Sequence, residues 1–104
     1  MSEFENREEA YEKRFAVDEE LAFKSLARRN KLLGLWLAQL LGRGDAEAFA
    51  NALVVSQVCG SDENLFKTIQ TDLAQAGAEM SDNRIRRKME EAMIQARAEI
   101  MAGK

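Results

Sequence analysis

A chain of 104 residues is long enough for one domain around one core. With 46% apolar and 32% charged residues it is not an intrinsically disordered chain. Its net charge of −3 argues against a general nucleic-acid binder, which would carry a dominant basic surface. There is no proline and there are six glycines, in a background rich in Ala, Leu, Glu, Lys and Arg. The expected fold class is all-α: a small four-helix bundle with a long first helix whose N-terminal part projects or is flexible.

The first element opens with SEFENREEAYEKRF, where Ser2 and Glu5 form a capping box. A helix is predicted from 3 to about 41, roughly 58 Å long at 1.5 Å per residue. Its apolar stripe holds one direction. Phe4, Tyr11, Phe15, Ala22, Leu26, Leu33, Trp36 and Leu40 fall within an arc of about 80°. The stripe thins at V-D-E-E, residues 17–20. The division expected is therefore an amphipathic arm, 1–17, and a bundle, 18–104, with the bundle part of this helix at about 18–41. Leu33, Trp36, Leu37 and Leu40 read as core. Gly34, in the helix interior, reads as a close helix contact or a bend.

The second helix is predicted at 45–59 with Asp45 as N-cap; Phe49, Leu53 and Val54 mark one face, though Val55 and Val58 make it apolar nearly all round. The third, 62–76, follows Ser61 and repeats Leu65, Phe66, Ile69, Leu73 and Ala76 at helical spacing. The fourth, 82–102, follows Ser81 and repeats Ile85, Met89, Met93, Ala96 and Ile100. These three are only about 22–32 Å long. Roughly half of the first helix thus has no bundle to lie against. Gly42, Gly44, Gly60, Gly77 and Gly103 stand where left-handed caps would end the helices. Cys59 reads as a small buried residue at a helix end, and Met80, Met89, Met93 and Met101 as fillers of core gaps.

Charge comes in blocks. Residues 1–20 hold eight acids and three bases, residues 21–44 five bases and no acid, and residues 45–104 ten acids and seven bases. The chain has no histidine, the commonest general acid/base and metal ligand. A single cysteine makes neither an intramolecular disulfide nor a Cys-rich zinc site, and it suits a reducing compartment. GRGD at 42–45 is too short for a phosphate-binding loop. No catalytic constellation is present, so a noncatalytic protein with no cofactor is expected. The acidic start is unlike a signal peptide, and the longest apolar run, Leu32 to Leu41, is too short to span a bilayer. These features read as a cytoplasmic protein.

The residues left for function are those of an interaction protein. Phe4, Tyr11 and Phe15 suit helix-in-groove recognition by a partner, or else fold back into this domain's core. Arg7, Glu8, Lys13 and Arg14, with Glu9 and Glu12, either pair with a partner or are solvated; together the acidic arm would be steered toward a basic cleft. Lys24, Arg28 and Arg29, with Lys31, form a second contact, a solvated face, or an internal pairing with the acidic arm.

RFAVDEELAFKSLARRNKLLGLWLAQLLG, residues 14–42, resembles the zeta-subunit ATPase inhibitor family of alphaproteobacterial F-type ATP synthases. The best-matched stretch is ARRNKLLGLW, Ala27 to Trp36, preceded by F-x-x-D-E-E-L-x-F-K from Phe15; F-x-x-R-E-x-A-x-E from Phe4 is similar to the family's start. The match is weaker over 45–104. The resemblance implies a four-helix protein that binds the catalytic head of ATP synthase, formed by alpha, beta and gamma subunits, and blocks ATP hydrolysis. It implies that the N-terminal arm enters a catalytic alpha/beta interface near the rotor shaft, on the cytoplasmic face of the membrane. Val17 stands where the family is often polar or histidine, and without histidine no imidazole switch operates here. Some members are linked to nucleotide binding, which stays open at low weight. The competing reading is a helical adaptor or small-molecule binding module without inhibitory activity.

Overall fold

Nothing in the chain forbids helix, and helix is what it forms. In the computed structural model, described over residues 3–103 with side chains from Glu19 onward, there are four helices and no strand. They are α1 (Glu3–Leu40), α2 (Ala46–Ser56), α3 (Asp62–Gln75) and α4 (Asp82–Met101). The all-α bundle with a long first helix is therefore the observed architecture.

Helix α1 is the spine, and α2 and α4 both pack along it. Lys31 reaches Glu47 and Asn51 of α2. Arg28 meets Glu99, while Trp36 lies under Lys88, so α4 runs antiparallel to α1. Helix α3 packs on α4 and is tied to α1 through Asp62 and Arg29. The core takes Leu33, Leu37 and Ala38 from α1, and Ala50 and Leu53 from α2. Leu65, Phe66, Ile69 and Leu73 enter from α3, and Ile85, Met89, Ala92 and Ala96 from α4. Burial of this kind, about 25 cal/mol per Å² of apolar surface, holds the bundle together.

Gly34 allows the closest approach. A Cβ built on it would sit 2.6 Å from the Ala50 Cα and 2.9 Å from the Ala50 Cβ. The glycine is thus a close helix contact rather than a bend, and it sets how tightly α2 lies on α1.

Length decides the rest. The 38 residues of α1 span about 57 Å, and the 20 of α4 about 30 Å. The molecule is 64 Å along its longest axis and 24 × 21 Å across. Helix α4 runs out beside Leu21, where Ile100 and Met101 line a groove with it.

The helix ends follow the expected chemistry in part. Ser61 and Ser81 are extended N-caps, each accepting a bond from the backbone N–H three residues on (3.1 and 3.2 Å). Gly42 and Gly77, both at φ 70°, close α1 and α3. Arg43 N–H donates to the Ala38 carbonyl and Ala78 N–H to the Leu73 carbonyl, the six-to-one bonds of a Schellman cap. Gly103 is left-handed as well.

Other expectations are corrected. Gly44 and Gly60 do not adopt positive φ. Helix α2 ends at Ser56, three residues early: the Ser56 hydroxyl donates to the Leu53 carbonyl, and Gln57 turns its side chain inward. Cys59 lies in the turn that follows and is exposed rather than buried. Asp45 stands at the N-cap of α2 but makes no capping bond, because Arg43 holds both of its carboxylate oxygens at 2.8 Å. Leu40 is 45% exposed and Met101 74%; each sits in the last turn of its helix, where no neighbour covers it. Val55 and Val58 face outward, so α2 buries one face only.

Candidate partner-binding surface

Of the residues singled out for partner binding, Phe4, Arg7, Glu8, Tyr11, Lys13, Arg14 and Phe15 have side chains outside the described residues; their backbone belongs to α1. The apolar core described above is drawn from residues 33–96 and includes none of them.

The basic block is described in full. Lys24 reaches Glu20 one turn back, at 3.0 Å, with both side chains largely exposed. Arg28 Nη1 donates to Glu99 Oε1 at 2.7 Å, and Glu99 also accepts from Gln95. Arg29 is the buried member, its side chain only 6% exposed. Its Nη1 donates to Asp62 Oδ1 at 2.8 Å and its Nε to Asn30 Oδ1 at 3.1 Å. Lys31 bonds Glu47 at 2.6 Å and Asn51 at 2.7 Å, and Arg43 chelates Asp45.

All five cations of residues 21–44 are thus paired, each with a different acid. One acid lies earlier in α1; the other four come from Asp45, α2, α3 and α4. Internal pairing, one of the readings above, is made among the described residues with Glu20, Asp45 and the other three helices. Asp62 is well placed, since a carboxylate in the first turn of α3 also meets the positive end of that helix. Arg28 and Arg29 are therefore structural ties in the free protein, while Lys24 keeps the most accessible charge of the three.

Electrostatic perturbations are few. The Arg43 side chain, bonded to it, holds the Asp45 carboxyl below its ordinary value, and the same bond raises Arg43. Partial burial pushes the Asp72 carboxyl up, against the opposing pull of Arg43. Cations also cover aromatic rings: Arg86 lies 4.0 Å from the Phe66 centroid, Arg43 4.8 Å from Phe49 and Lys88 5.5 Å from Trp36. Trp36 is half-buried, at the edge of the core.

Sequence reasoning missed the apolar surface at the level where α4 ends. Phe23, Leu26 and Met101 are exposed there, beside half-buried Leu21 and Ile100. No motif marks them, because their exposure follows from where α4 stops. No helix among the described residues is long and apolar enough to cross a membrane.

No curated protein sequence matches the chain. The family model for ATPase inhibitor subunit zeta matches residues 1–99, nearly the whole length, taking in the basic block, Trp36 and most of α4. With a four-helix fold, a long leading helix and that match, the chain belongs to the ATPase inhibitor subunit zeta family.

Proposed function

We propose that this protein is a noncatalytic inhibitor of ATP hydrolysis by the F-type ATP synthase, and that residues 1–17 enter a catalytic alpha/beta interface of the head beside the gamma subunit. Family membership supports the inhibitor role. The observation that carries the mechanism is the mismatch between α1 and the bundle. Helix α1 has 38 residues, and α4, which packs antiparallel along it, has 20, so about half of α1 has no length of α4 beside it. That leaves an amphipathic segment with Phe4, Tyr11 and Phe15 on one stripe.

A helix wedged between catalytic subunits blocks the closure that hydrolysis requires. The three aromatics are the anchors, because large rigid rings in a desolvated groove carry most of the affinity of such contacts. Arg7, Glu8, Lys13 and Arg14 set the register, and Lys24 is the bundle cation placed to follow the arm onto the head. Arg28 and Arg29 act through the bundle by holding α4 and α3 against α1. On this reading the protein sits peripherally on the cytoplasmic face of the membrane through its target.

The test is hydrolysis by purified ATP synthase head, with the full chain and with a chain lacking residues 1–17. The described core starts at Ser25, so the shortened chain keeps it. Inhibition by the full chain alone is the expected result. Equal inhibition by both would remove the arm from the mechanism. Tyr11→Ala is expected to weaken inhibition roughly tenfold or more with bundle melting unchanged; a fall in melting temperature would instead make Tyr11 core.

A further inference from the structure

Two grooves meet at the base of the arm. One, about 390 Å³, lies between α1 and the last turns of α4, with Ala22, Leu26, Met93 and Met101 among its walls and Arg97 at its rim. The other, about 610 Å³, lies on the side facing α2, with Phe23, Ala27 and Val54 as its apolar walls and Lys24 and Lys31 at its rim. They share Leu21 and Ile100, so one ridge separates them. Phe23 is 58% exposed, and Met101 is exposed further still. Apolar side chains clustered on a surface in this way mark an interaction site.

We propose that the two grooves form a collar that seats on the outer lip of the cleft receiving the arm. The lip would present two apolar side chains astride the Leu21–Ile100 ridge, with a carboxylate at its edge facing Arg97. This inference rests on the reading of the arm given above. Two observations select that occupant. The first is continuity: Ala22 and Leu26 lie on the same stripe of α1 as Phe4, Tyr11 and Phe15, and α4 stops beside Leu21. A target element covering the stripe beyond α4 abuts Met101. The second is charge order. Residues 1–19 are net −4, whereas at the collar Lys24 and Lys31 are held by Glu20 and Glu47, and Arg97 is the rim cation with no acid partner among the described residues. A complementary target is basic within its cleft and acidic at its lip.

The experiment uses the full chain carrying Phe23→Gln and Met101→Gln, with Val55→Gln and Val58→Gln as the control. The control pair is equally exposed and apolar but lines neither groove. Concentration for half-maximal inhibition of ATP hydrolysis, melting temperature and sedimentation are measured for both and for the unaltered chain. The expected result is a roughly tenfold higher concentration for the groove variant, unchanged maximal inhibition, unchanged melting and no effect of the control. Unchanged potency of the groove variant, with the unaltered chain inhibiting normally, would overturn the collar and leave the arm mechanism standing. Equal losses in both variants would also overturn it, by making the effect one of general surface polarity. A dimer of the unaltered chain that the groove variant dissociates would assign the grooves to a second copy. Absence of inhibition by the unaltered chain would overturn both proposals together.

Discussion

Arg29 shows how a single side chain joins two helices. It leaves α1 with its side chain buried, and its head ties Asp62 at the start of α3. Arg29→Ala removes this packing and leaves the buried Asn30 oxygen without its donor; a loss of about 1–3 kcal/mol is expected in denaturant melts. Asp62→Ala strands a buried guanidinium, so it costs more than its exposed position suggests. A double-mutant cycle isolates the pair. Asp72 makes a prediction about pH. Its folded pKa is raised, so its ionised form burdens the fold at neutral pH, and that burden lifts as pH falls through the raised value toward 3.8. Asp72→Asn should therefore melt slightly above the unaltered chain at pH 7 and lose that advantage below the ordinary carboxylate range. Burial at this scale was only partly legible in the sequence. Leu33 and Leu37 are core as their spacing demands, but Leu40, Cys59 and Met101 lie at or beyond helix ends, where burial depends on how far a neighbour reaches.

The number and order of helices could be read directly from the sequence, since each apolar repeat is bounded by a capping serine or a glycine. Which glycines adopt the left-handed conformation could not. Gly42 and Gly77 each follow a helix whose last carbonyls need donors, and the chain turns back over them. Beside Gly60, the inward Gln57 side chain occupies the space a Cβ would need, the contact being 2.6 Å, and α2 has already ended. Gly34→Ala tests the fit between α1 and α2. Alanine gains up to about 1 kcal/mol of helix propensity, but its Cβ collides with backbone of α2, an overpacking cost of about 1–3 kcal/mol or more. The net expectation is destabilisation of about 1–2 kcal/mol, a fall in melting temperature of roughly 5–15 °C. A rise would show that α2 shifts freely. Ser81→Ala should cost about 1 kcal/mol through the lost cap of α4, measured in the same way.

For the whole molecule, the excess length of α1 over the other helices was legible in the sequence, and the family from the block around Trp36. The pairing of the basic block was not, because Arg28 and Glu99 stand 71 residues apart and Arg29 and Asp62 stand 33 apart. Only the topology brings them together. That pairing has an effect at a distance. With the five cations matched inside the bundle, residues 20–104 carry a net charge of only +1, while residues 1–19 carry −4. The protein is an elongated body with its unbalanced charge at one end, and so it has an electric polarity along its length. In the field of a positively charged cleft it would turn before it touches, arm leading, and spend fewer collisions on the wrong end. Raising the salt concentration should then slow association far more than it hastens release.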